Sequence, residues 1–248
     1  MVRVSLSLVL LAFLATACAA ARQAPVPQAE RPDREGLPQL SLCAPEQARS
    51  WARGQGLAPR LRAAGCFARL AETARSEEQG LAWAEQGQKL ALTAAEQAPD
   101  NATAQYLAAY LTGLRAEREP MRGLSLVPVI AKHARAAAKL DPALDRAGPR
   151  RILGELLLQA PGFPVSIGDP SAAVEQFRKA VQLAPDFPEN RIGLAESLLE
   201  TGREAEACRT LAPVLEQAKP ANIDPAAWSR AVRVLQNVCA EIPSAANQ

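Results

Sequence analysis

The sequence predicts an all-α fold, a stack of antiparallel helical hairpins with lengthened loops inside the repeats and a C-terminal capping helix. Three observations carry that expectation. The chain is 48% hydrophobic but only 4% aromatic, and roughly a fifth of it is alanine, the residue that best tolerates close-packed helices. Apolar and small residues recur with helical period between proline and glycine punctuation. Helix-ending prolines return at even spacing, at Pro99, Pro142 and Pro185, longer than the ~34 residues of a plain two-helix repeat. With 28 Lys and Arg against 26 Asp and Glu, and no long run of either sign, the chain has no electrostatic footprint for nucleic acid.

The N-terminus reads as an export signal over residues 1–17. Arg3 precedes an apolar run from Val4 to Leu14 that is too short to cross ~30 Å of hydrocarbon. The run ends in Leu14-Ala15-Thr16-Ala17-Cys18, which resembles a bacterial lipobox, although Ala15 stands where a branched apolar residue is usual. The resemblance implies acylation of Cys18. The alternative is ordinary cleavage after Ala17 or Ala21, both of which follow small-residue patterns. Ala19, in place of an aspartate after the cysteine, resembles lipoproteins sorted to an outer membrane, facing the periplasm. Residues 18–38 carry four prolines and almost no bulky apolar side chain, so they form a tether. The membrane would then be met through the lipid anchor alone.

Four further cysteines, Cys43, Cys66, Cys208 and Cys239, make an even number for an exported chain. Local pairing gives Cys43 with Cys66 and Cys208 with Cys239; the alternative is that Cys66 and Cys208, inside apolar helical patterns, are buried thiols. No C-x-x-C pair supports a metal or redox site.

The helical domain spans residues 39–243, with a tail at 244–248. Helices are expected over Pro45 to Trp51, Arg60 to Thr73 and Ser76 to Ala98, the last opened by a Ser76-x-x-Gln79 capping box. The even proline spacing places two enlarged loops, at Arg118 to Pro128 and at Pro161 to Pro170. Asp169 can cap a helix whose first residue is Pro170. Along that helix Ala173, Phe177, Ala180 and Ala184 share one face, and Pro185 ends it. This is the second-helix signature of a tetratricopeptide repeat, and Leu194, Ala195, Leu198, Gly202, Ala207, Leu211 and Val214 continue in phase. The fold is therefore of tetratricopeptide-repeat type, about four hairpins closed by a last helix from Asp224 and Pro225 to about Ala240.

Chemistry-bearing residues are few. His133 is the single histidine, on a helix between Lys132 and Arg135, and reads as solvated or groove-facing rather than as a catalytic base. Glu155, Glu175, Glu189 and Glu196 read as the wet faces of amphipathic helices. Gly162 and Gly168 do not form a phosphate loop, and Asn101-Ala-Thr103 reads as a helix cap. Tyr106 and Tyr110 share a helix face and read as packing. No catalytic residue, metal site or cofactor is expected, and the chain reads as a non-enzyme. The segment Pro161 to Asp169 leaves helical periodicity with Phe163, Val165 and Ile167, which either plug the end of their hairpin or line the mouth of a binding groove. Arg150 and Arg151 on the preceding helix either stay solvated or meet an anionic ligand or a partner's carboxylate.

Gly148-Pro149-x2-Ile152-Leu153-Gly154, Ala160-Pro161-Gly162, Gly168-Asp169, Ala173-x3-Phe177-x2-Ala180 and Pro185-x4-Asn190-x3-Leu194-Ala195-Glu196-x2-Leu199 together resemble the T component of tripartite ATP-independent periplasmic (TRAP) transporters, a family of bacterial repeat lipoproteins. The resemblance covers about residues 80 to 218. It implies an all-helical bundle with a ligand-sized pore, a periplasmic solute-binding protein as partner, sometimes a homotrimer, and no catalytic residues. The repeat pattern alone also fits a scaffold for cell-envelope assembly that holds a partner helix and has no closed pocket.

Overall fold

The computed structural model describes residues 43–217 and 225–239. The expected signal segment, Cys18, the tether and the C-terminal tail lie outside the described residues. The described elements are helical. They run α1 (Pro45–Ala52), α2 (Leu57–Glu72), α3 (Glu77–Gln97), α4 (Ala102–Arg118), α5 (Pro120–Leu140), α6 (Leu144–Gln159), α7 (Pro170–Leu183), α8 (Pro188–Glu200), α9 (Glu204–Gln217) and α10 (Pro225–Val234), the last continuing as a π-helical turn over Leu235–Cys239. From α1 to α9 each helix packs against the next, which is the antiparallel hairpin stack expected from the sequence. Among the described residues no helix is long and apolar enough to cross a membrane.

Helix starts follow the capping chemistry. The Asp169 carboxylate accepts from the Ala172 amide at 3.0 Å, and Pro170 opens α7 where its missing N–H costs nothing. Asn101 accepts from the Ala104 amide at 2.9 Å to start α4. Ser76 accepts from the Gln79 amide at 3.2 Å, but the Gln79 side chain returns to the Arg75 amide, so only half of the expected capping box forms.

One expected loop is absent. Arg118 to Pro128 is helical but for Glu119: α4 ends at Arg118, Pro120 begins α5, and α5 continues through Pro128. Proline in a helix interior removes one hydrogen bond to the preceding turn. Pro128 is exposed, so that loss falls on the water side, while Val127, Ile130, Ala131 and Ala134 on the buried face hold the helix together. The extra residues of this repeat therefore lengthen a helix. The second expected loop is present over 161–169 and is closed by the Gly168 amide donating to the Pro161 carbonyl at 2.9 Å and the Asp169 amide to Leu157 at 2.8 Å.

Two apolar cores fill the stack. The larger, in α1 to α6, is mostly alanine around Phe67, Trp83, Tyr106, Leu107 and Leu111. The smaller, in α7 to α10, centres on Phe177, Ile192, Leu198 and Leu211. Phe177 is fully buried against Gly154 of α6 and Gly193 of α8; a Cβ on Gly193 would stand 2.2 Å from the ring and one on Gly154 2.6 Å from it. Absent side chains on both neighbours let one ring join three helices. Disulfides fasten both ends, Cys43 to Cys66 with Cα atoms 5.9 Å apart and Cys208 to Cys239 at 5.6 Å. Cys66 is thus buried and paired, not a buried free thiol.

Candidate functional site

The loop over 161–169 does not plug its hairpin. Phe163 is 93% exposed and Val165 64%, while Ile167 is half-buried. None of these three lines the cavity described below, which the loop reaches only through Ala160 and Pro161.

Arg150 and Arg151 part company because they project from different sides of α6. Arg151 is buried and neither solvated nor available to a ligand. It pairs with Asp145 at 3.3 Å, donates to Asn190 Oδ1 at 3.2 Å and lies over the Phe187 ring at 4.7 Å. Asp145 also accepts from the Tyr106 hydroxyl. Asp145, Arg146 and Ala147 all have left-handed backbone, with φ of 49°, 53° and 65°, a conformation that non-glycine residues adopt at a cost. Regular helix therefore starts at Gly148, beside the Tyr106 ring. The Tyr106–Asp145–Arg151–Asn190 network holds this turn and ties α4 and α6 to α8.

Arg150 is half-buried and donates to Gln176 of α7 at 3.0 Å. With Arg135 and Lys139 of α5 it lines an open depression of about 500 Å³ that contains no acidic side chain among the described residues. The Arg150 Nε is buried without a partner. This basic face suits carboxylates or another anion.

On the opposite side of α6 lies a second cavity, of about 360 Å³, between α4, α5 and α6. Its walls are mostly apolar, with Leu114, Val127, Ile130, Ile152 and Leu156 among them. Residues 152, 155, 156 and 159 face this cavity and 150, 153 and 157 the basic depression, as the helical period requires. Gly113 forms part of the wall, and a Cβ there would meet nothing within 4 Å. Among the described residues two carboxylates line the cavity, Glu155 in its wall and Glu117 at the exposed rim, and no cationic side chain does. Burial pushes the Glu155 carboxyl up to about 7; Arg151 and Arg230 oppose the shift while Glu117 and Glu196 add to it. Glu155 is half-buried in the cavity wall rather than on an outward, wet helix face. Its signal in the sequence is a lone acid among Ile152, Leu153, Leu156 and Leu157.

His133 is buried, not solvated or groove-facing. Gln105 donates through its amide nitrogen to the carbonyls of Pro99 and Ala95, which turns its oxygen toward the ring, and His133 Nδ1 donates to that oxygen at 2.6 Å. Burial holds the imidazole below its usual pKa; Lys132 lowers it further and Glu96 partly opposes. His133 fastens α5 to α4, and no group of acids, cysteines or histidines suited to a metal occurs among the described residues.

Stacked antiparallel helical hairpins, with an apolar cavity on one side of α6 and a basic depression on the other, define an all-α repeat fold. The tetratricopeptide repeat family model matches residues 167–243, the stretch from the end of the 161–169 loop through α7 to α10. A thermophilic TPR protein of Thermus thermophilus is similar in structure at 20% identity and a TM-score of 0.49, over 77% of this chain and 98% of that chain. Comparison with curated proteins finds no match.

Proposed function

We propose that the chain is a lipid-anchored accessory of the bacterial cell envelope, tethered through Cys18, whose repeat stack docks a periplasmic protein and receives a small organic ligand. This is the role of a T component in a TRAP-type transport system, with a solute-binding protein as the partner. The observation that carries the reading is the mostly apolar cavity of about 360 Å³ between α4, α5 and α6, a volume that suits a small organic ligand. Gly113 supports it. Glycine inside a helix costs about 1 kcal/mol relative to alanine, and here nothing presses on the position, whereas Gly87, Gly148, Gly154 and Gly193 each admit a neighbouring side chain. The open space at Gly113 is room for a ligand. The basic depression of Arg135, Lys139 and Arg150 is the docking face, suited to carboxylates on the partner's surface.

The competing reading, a scaffold in envelope assembly, draws on the exposed apolar side chains Met121 and Phe163. Crosslinked capture of the full-length chain from cells separates the two. The transport reading expects a periplasmic solute-binding protein whose recovery falls when Arg135, Lys139 and Arg150 become glutamate. Recovery of cell-wall or outer-membrane assembly proteins in its place overturns it. Labelling with a radioactive fatty acid tests the anchor: Cys18→Ser abolishes incorporation, and retained label removes Cys18 from the account.

A further inference from the structure

We infer that the cavity between α4, α5 and α6 takes an amphiphilic organic amine, its apolar body against the aliphatic walls and its ammonium group against Glu155. The inference rests on the reading of this cavity as a ligand site and specifies the chemistry of what enters it. Among the described residues the carboxyls of the lining are Glu155 and Glu117, and no arginine, lysine or histidine lines it. An anionic ligand would enter against two acids with no cation to receive it. A neutral ligand would give the Glu155 carboxylate no partner charge inside the cavity. An ammonium group supplies the missing charge and donates hydrogen bonds to the carboxylate oxygens.

The cations close to Glu155 are engaged elsewhere. Arg151, one turn earlier on α6, is held by Asp145 and Asn190. Arg230 of α10 pairs with Glu196 of α8 at 2.8 Å. From α4, the Tyr110 hydroxyl donates to Glu72, and Glu117 adds negative charge at the rim. No hydrogen bond from a described side chain reaches Glu155, so its oxygens are open to a ligand. The rest of the lining, Leu114, Leu124, Val127, Ile130 and Leu156, offers a hydrocarbon body the burial it needs.

The test uses three probes of one chain length, n-octylamine, octanoate and 1-octanol, titrated calorimetrically into the full-length lipoprotein in nanodiscs, with empty nanodiscs as the blank. The expected result at pH 8 is octylamine binding at least tenfold tighter than either of the others. Octylamine stays protonated throughout, so its affinity is expected to fall about tenfold between pH 8 and pH 6 as Glu155 takes up its proton. In Glu155→Gln, with helical content checked by circular dichroism, the preference for the amine disappears. Equal affinity for the three probes, or a preference for octanoate, overturns the amine inference and leaves the cavity as a ligand site. Failure of all three to bind overturns both.

Discussion

Phe177 shows how much can rest on one side chain in an alanine-rich chain. Its ring fills the space left by Gly154 and Gly193 and joins α6, α7 and α8. Phe177→Ala should cost about 3–5 kcal/mol in urea unfolding, the range for a buried aromatic replaced by a methyl. Arg151 is a second such residue. Replacing it with alanine leaves the buried Asp145 carboxylate without its cation, an expected loss of about 3–5 kcal/mol; a value near zero would place the junction's stability elsewhere. Gly113 has the opposite sign. Because its Cβ position is open, Gly113→Ala should raise stability by about 1 kcal/mol, which a shift of the urea midpoint at unchanged slope would record. Glu155 ties stability to pH. Its carboxyl is held near 7 when folded, above its ordinary value of 4.5, so between those limits the folded state binds more protons and stability falls as pH rises, by up to about 3 kcal/mol. Glu155→Gln should flatten that fall. His133 has the other sign: its lowered pKa makes stability drop as pH falls below 6.5.

At the scale of elements, the disulfides are expected to matter most at the ends of the stack. Cys208 and Cys239 close a separation of 31 residues and Cys43 and Cys66 one of 23, so each should contribute about 3 kcal/mol through the unfolded chain. Reduction should lower the melting temperature, and Cys208→Ser should loosen the contact of the π-helical turn with α9, read as faster amide exchange over Leu235–Cys239. Several helix starts were legible because they rest on local chemistry: Asp169 with Pro170, Asn101 and Ser76 each satisfy amides within a few residues of themselves. The loop expected at Arg118 to Pro128 failed because a proline signals a break only where the lost hydrogen bond cannot be left to water, and the exposure of Pro128 depends on tertiary packing. The candidate site was less legible for the same reason. Arg150, open in the sequence between solvation and an anion contact, lies half-buried against Gln176, while Arg151 was lost to a partner in α8 and Glu155 was set into the cavity wall beside α4 and α5. Those are contacts that no local pattern encodes.

For the whole molecule, the two apolar cores meet at the left-handed turn before Gly148, where Tyr106, Asp145, Arg151 and Asn190 lock the larger core to the smaller. Helix α6 has the cavity on one side and the basic depression on the other, so the proposed partner at Arg150 and the proposed ligand beside Glu155 would press on the same element. One departure from the plain repeat, the long α5, lines both sites. The most direct test of the cavity as a ligand site is calorimetric titration of n-octylamine into the full-length chain and into Gly113→Leu, a substitution that fills the cavity from its wall. Binding to the native chain, lost in Gly113→Leu at an equal or higher melting temperature, is the predicted result; equal binding to both would contradict the assignment of the cavity as the ligand site.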